Sequence, residues 1–283
     1  MSIIRGRKIR LAALQMESRP GSRDENLRTA VAMLRSAAER GVNLACLPAA
    51  FATGMNLPSV RQDSTAADGP IAEFLAQQAR SLGMYIVAGV LLNEDRDVFD
   101  AAALVTPSGE IAGWYRRTCT WAGEADYIST GSVTPAIDTD LGRIGLLVGN
   151  DIRYPEASRH YLLDSTDIIV TVANLFAPYS HAVPSIVRAR AADNACTIVF
   201  CDSVGSNRFL RMPYFGRSMI VDGLVWDAAG ASDADVLADA GPESWEALVH
   251  AEISLKMQRK TRDKTPFRTD TQTLWKTIHR GRS

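Results

Sequence analysis

Histidine and cysteine are scarce in this sequence, with four of each among 283 residues. The histidines, His160, His181, His250 and His279, are scattered. They show no HxxxH or HExxH spacing, which argues against a zinc centre. Cys46, Cys119, Cys196 and Cys201 form no CxxC pair. They read as reduced thiols used as small core hydrophobes. No metal and no cofactor are therefore expected. The glycines make no GxGxxG or GxxxxGK loop, so a cradle for nucleotide phosphates is missing. An excess of one charge is missing too. Lys and Arg number 31 against 32 Asp and Glu, with both signs interspersed, so neither nucleic acid nor a membrane surface is an expected partner. No apolar run approaches the roughly 18 residues of a membrane span. The start, "MSIIRGRKIRLAAL", has no signal-peptide apolar region or cleavage site. The expectation is a soluble, cytoplasmic chain.

What is present is a long alternation of strand and helix patterns. Hydrophobic residues make up 46% of the chain, enough for a sizeable core. Apolar runs predict strands at 9–16, 43–48, 85–92, 144–148, 167–173, 197–205 and 246–254. Helical spacing predicts helices over 26–41, 71–82, 156–163 and 184–194, with Gly41 and Gly83 as stops for the first two. Two hairpins are expected: 101–117 about Pro107-Ser108-Gly109, and 217–230 about Asp222-Gly223. No linker or low-complexity segment interrupts the series. One domain over 1–283 is expected, with a core of about 8–255. A polar, basic C-terminal arm over 256–283 should be solvated and reach over a dimer partner. Buried strands need helices on one face and apolar cover on the other, so a two-sheet sandwich with helices outside fits.

The most informative stretch is "GLLVGNDIRYPE", 145–156. A buried strand meets Gly149, Asn150 and Asp151, and a helix begins near Pro155. Strand–turn–helix elbows of this kind often present a nucleophile. Here the elbow residue has no side chain.

Six segments, in order, carry a resemblance. They are "LPAAFATG" (47–54), "GEIAGWYRRTCTW" (109–121), "GLLVGNDIRYPEASR" (145–159), "RARAADN" (188–194), "FGRSMIVDGLV" (215–225) and "KTPFRTD" (264–270). Together they resemble the nitrilase superfamily of carbon–nitrogen hydrolases, over about nine-tenths of the chain. The resemblance implies an α-β-β-α sandwich that dimerises into an eight-layer αββααββα assembly. It also implies a chemistry: a Cys thiolate attacks carbon, a Glu acts as general base and a Lys steadies the oxyanion.

By that resemblance the Glu falls on Ala49, the Lys on Arg117 and the Cys on Gly149. A methyl group cannot accept a proton, and a glycine cannot attack. Arg117 keeps a positive charge but is effectively never deprotonated. A second family acid falls on Glu124. Asp151 reads as a structural acid at the elbow. Arg188, Arg190 and Asn194 are expected to hold the elbow by pairing with acids such as Asp151 or Glu156. Cys119, two residues beyond Arg117, has no visible activating base and reads as an inert thiol.

Two functional expectations follow. The first is a non-catalytic pseudoenzyme with a retained pocket at Arg117, Glu124, Asn150 and Phe51. It would bind a protein partner or a small anionic ligand. Its assembly would be a homo-oligomer, or a hetero-oligomer with an active nitrilase-like chain. The second is a divergent enzyme working through Glu124 and Arg117. Arg117 is expected to pair with Glu124 or to hold an anion, because an unpaired buried guanidinium is costly.

Overall fold

The computed structural model describes residues 8–121, 123–207, 210–223, 225–227, 230–232, 236–242 and 245–279. The two ends of the expected 1–283 domain, 1–7 and 280–283, lie outside the described residues.

The elements in chain order are β1 (Lys8–Gln15), α1 (Arg23–Glu39), β2 (Leu44–Leu47), α2 (Val60–Asp63), α3 (Pro70–Leu82), β3 (Tyr85–Glu94), β4 (Asp97–Val105) and β5 (Ile111–Arg116). The second half continues with β6 (Ile137–Thr139), β7 (Gly142–Val148), α4 (Pro155–Leu163), β8 (Ile168–Ala173), α5 (Val183–Asn194) and β9 (Thr197–Asp202). Then come β10 (Ser206–Asn207), β11 (Met212–Pro213), β12 (Met219–Val221), β13 (Val225–Asp227), β14 (Gly230–Ser232), β15 (Val236–Asp239), β16 (Ala247–Ser254), α6 (Leu255–Arg262) and α7 (Phe267–His279).

Two six-stranded sheets form the body. One runs β16-β1-β2-β3-β4-β5 and the other β15-β12-β9-β8-β7-β6. Each has three parallel strands at its centre, β1-β2-β3 and β7-β8-β9, with antiparallel strands outside them. Side chains alternate across each strand, so one strand serves two cores. In β1, Leu11 and Ala13 pack into the core shared with the second sheet. Ala12 and Leu14 pack instead with Leu34 of α1 and Leu75 of α3. Full burial of a side chain such as Leu34 contributes about 1.5–3 kcal/mol. The opposite helix layer is α4 and α5, whose Tyr161, Val183 and Val187 join the core of the second sheet. The expected sandwich of two sheets flanked by helices is thus the observed fold. Among the described residues no helix is long and apolar enough to cross a membrane.

Local signals explain most boundaries. Pro70 opens α3, and Gly83, at φ +65°, closes it in the left-handed conformation that glycine adopts without penalty. The hairpin about Pro107-Ser108-Gly109 forms as expected between β4 and β5. Among the described residues, the hairpin expected about Asp222-Gly223 is not seen. β12 pairs with β9 and β15, and β13 pairs with β14. Gly223 serves close packing instead: a Cβ there would lie 2.0 Å from the Ala191 carbonyl oxygen. Residues 224, 228 and 229 of the expected hairpin lie outside the described residues.

The C-terminal arm is also not uniformly free. Leu255 and Gln258 of α6 are buried. Arg259 and Arg262 both pair with Asp167, at 2.5 and 3.1 Å. Those contacts tie α6 to the loop that enters β8. Beyond it, α7 exposes Leu274 and Ile278.

Candidate functional site

A cleft of about 420 Å³, counting its open mouth, lies beyond the C-terminal ends of β7 and β8. That end of a parallel strand set is the usual place for a ligand, because successive loops converge there. Asn150 reaches the cleft from the short helical turn Gly149–Arg153, directly after β7. Asn174, Phe176 and Tyr179 reach it from the segment after β8. Arg117, Trp121 and Glu124 come from the segment after β5, and Met55 and Leu57 from the segment after β2. The described lining includes no cysteine, serine, threonine, lysine or histidine.

Arg117 is the centre of the polar wall and is only 3% exposed. The β4–β5 ladder explains its first partner. Ala101 pairs with Arg116, and the Arg117 amide donates to the Asp100 carbonyl at 2.9 Å. The two side chains are therefore neighbours across the strands, with Arg117 Nη1 3.2 Å from Asp100 Oδ2. Arg117 Nη2 donates to Glu124 Oε2 at 2.5 Å. The same oxygen accepts the Trp121 amide at 2.7 Å. Of the two expected roles for Arg117, pairing with Glu124 is the one observed, and Asp100 is a second partner.

The charges are unequally housed. Asp100 is fully buried, and neither of its oxygens has a hydrogen-bond partner among the described residues. Burial pushes its carboxyl up to about 6, with Arg117 working against that and Glu124 and Asp151 adding to it. Burial alone would lower the Arg117 guanidinium, but Asp100 and Glu124 outweigh it and raise it. Asp151 is the structural acid expected at the elbow. It accepts hydrogen bonds from the Thr118 amide and hydroxyl and the Cys119 amide, each at 3.0 Å, and from Tyr115 Oη at 2.8 Å. Burial raises its carboxyl too, against the pull of those donors.

Arg190 holds the elbow from the other side, but not through an acid. It donates to the carbonyls of Ile152 and Arg153, at 3.2 and 3.1 Å, rather than to Asp151 or Glu156. Asn194 donates to the Arg190 carbonyl at 2.8 Å, and Arg188 is exposed on α5. The free carbonyls of a tight turn take the guanidinium first, since they need donors as much as a carboxylate does.

The remaining expected residues fall as follows. Gly149 sits at φ +54°, and a Cβ built there would lie 3.5 Å from Arg117 Nη1 and 3.6 Å from its Cδ. Ala49 is 1% exposed, and its amide donates to the Ala173 carbonyl at the end of β8, at 3.2 Å. Both flank the cleft without lining it. Asn150 lines it and is 8% exposed, with Oδ1 unpaired among the described residues. Phe51 does not belong to the site. It is fully buried under the helices, its ring stacked on Phe74 at 6.2 Å between centroids. A phenyl ring next to an apolar helix face gains more by burial there than at a wet cleft. Cys119 is partly buried, and burial raises its thiol. Among the described residues no three His, Cys, Asp or Glu side chains are grouped to hold a metal.

Sequence reasoning missed Asp100 and the aromatic wall. Asp100 left a trace, because a lone carboxylate in the apolar strand "VFDAAALV" demands a buried cation. Trp121 packs against Phe176 at 6.1 Å and Tyr179 at 6.3 Å. No local pattern joins those three residues.

Comparison with known proteins adds four findings. The family profile "Carbon-nitrogen hydrolase" matches residues 10–263. A Pyrococcus abyssi protein named nitrilase is 30% identical over 260 residues, which is 90% of this chain and 93% of that one. A 2-oxoglutaramate amidase of Bacillus subtilis is 27% identical over 264 residues, 92% of this chain and 96% of that one. Among solved structures, a carbon–nitrogen hydrolase from Helicobacter pylori superposes with a TM-score of 0.82 at 21% identity, over 93% of this chain and 95% of that one, a likeness of fold.

Proposed function

The chain belongs to the carbon–nitrogen hydrolase family, and from that premise we propose that it keeps the family's cleft as a binding site without hydrolysing a C–N bond. The carrying observation is the lining itself. Among the described residues no thiol, hydroxymethyl, imidazole or amine side chain faces the cleft. Covalent catalysis of acyl transfer needs such a nucleophile, and it needs a base in reach. The base position falls on Ala49 and the nucleophile position on Gly149. The cationic position falls on Arg117, whose two Nη atoms are occupied by Asp100 and Glu124. Losing one member of a cooperating catalytic set already removes most of the rate. A role as a binding or regulatory chain, alone as an oligomer or beside an active relative, accommodates these replacements.

Glu124 as a general base in a divergent enzyme is the less favoured reading. One of its oxygens is committed to both Arg117 and the Trp121 amide. The test is direct. The purified protein is incubated with simple amides, nitriles and ureido compounds, and ammonia is measured against a heat-treated control. No release above that control is expected. Turnover that disappears in Glu124→Gln would refute the non-hydrolytic reading and install the divergent enzyme.

A further inference from the structure

We infer that the cleft selects a small organic cation, a primary ammonium group, over an anion. This inference deepens the non-hydrolytic reading and rests on it. The first observation is charge. Arg117 lies among Asp100, Glu124 and Asp151, and all three carboxylates act on it or on one another. Among the described residues, a further guanidinium nearby is Arg153, stacked over the ring of the lining residue Tyr179 at 4.7 Å. Among the described residues, three carboxylates thus surround Arg117.

The second observation is which hydrogen-bonding groups remain. An anion needs donors. Arg117 Nη1 and Nη2 are turned to Asp100 and Glu124, and its Nε, unpartnered among the described residues, is buried out of a ligand's reach. Acceptors are more available. Both hydrogen bonds to Glu124 use Oε2, so Oε1 is uncommitted among the described residues. Asn150 lines the cleft, nine-tenths buried, and its Oδ1 has no hydrogen-bond partner among the described residues. An –NH₃⁺ group brings three donors and no acceptor, the complement of that set. The wall of Trp121 and Phe176 adds aromatic faces that favour cations, as Arg153 on Tyr179 already illustrates. A short alkyl chain would then run toward Met55, Leu57 and Leu210.

The experiment titrates the whole protein with propylammonium chloride, sodium propionate and propionamide at low salt, read by saturation-transfer NMR. Saturable binding of propylammonium, at least tenfold tighter than propionate, is expected. Glu124→Gln should weaken it tenfold or more. Because that change also strips a partner from Arg117, Asn150→Leu is the second variant. It leaves every charge in place and should weaken binding severalfold. Propionate binding as tightly as propylammonium would overturn the inference. So would no saturable propylammonium signal at tens of millimolar, or unchanged affinity in both folded variants. Conversion of propionamide to propionate, visible in the same spectra, would instead overturn the non-hydrolytic reading and leave the cation preference standing on its own titration.

Discussion

Arg117→Met tests the charge arrangement at its centre. The methionine keeps most of the length and removes the charge. Asp100 then loses its ion-pair partner among the described residues, and Glu124 loses one of two donors to Oε2. Removing one partner of a buried pair costs about 3–5 kcal/mol, because the other charge stays buried. With about 2–4 °C of Tm per kcal/mol for a chain of this size, the expected loss is roughly 6–20 °C. The pH dependence follows from Asp100. Its folded carboxyl already sits at about 6, above the ordinary aspartate value. A raised folded value means the native state binds the proton more tightly, so stability declines as pH climbs from the unfolded value through the folded one. Without Arg117 the folded value moves higher still, and the decline continues beyond it. The difference between wild type and variant should therefore be smallest near pH 5 and grow toward pH 8. Thermal melts by circular dichroism across that range provide the assay. A shift under about 2 °C, or one that does not change with pH, would refute the claim that Arg117 neutralises Asp100.

Two further outcomes are expected elsewhere. Gly149→Ala has room for its methyl, 3.5 Å from the Arg117 guanidinium, but must hold φ +54°. The left-handed backbone costs about 1–2 kcal/mol, and a less flexible unfolded chain returns about 0.4–1 kcal/mol. Urea unfolding should show a net loss near 1 kcal/mol, and a stabilised variant would contradict the assigned backbone. Asp167→Asn should loosen α6. Burial by itself would raise the Asp167 carboxyl, yet Arg259 and its neighbours hold it below the usual aspartate range. A lowered folded value gives stability that is present above the unfolded value of about 4 and lost as pH falls through the folded one. The variant should lose about 1–3 kcal/mol at pH 7, and the gap should close in acid. Trypsin should cut faster after Arg259 and Arg262, and an unchanged cleavage rate would exclude the anchoring role.

Much of the framework is readable from the chain alone. Apolar runs mark strands, and 3.6-residue spacing marks α1, α3, α4 and α5. Both are local consequences of backbone geometry. Gly223 answers a nonlocal demand instead: it packs against the Ala191 carbonyl, where a Cβ would have no space. Glycine satisfies either requirement, so the dipeptide cannot tell a turn from a close approach. Phe51 fails in the same way. It is expected in the cleft, but its ring packs on Phe74 instead.

By itself, the sequence determined which atoms are present at three positions. Ala49 brings a methyl, Gly149 only a hydrogen, and Arg117 a permanent charge. No tertiary arrangement can give the first two a proton to move or an electron pair to donate. What only the tertiary structure decided is how that charge is answered. Asp100 arrives from the neighbouring strand and Glu124 from a loop seven residues on, while Asn150, Phe176 and Tyr179 close the cleft from the ends of β7 and β8. The physical reason is the range of the interactions. Strand and helix patterns follow from each residue and its near neighbours. A buried charge is balanced by whatever the fold brings within a few ångströms, however far away it lies in the chain.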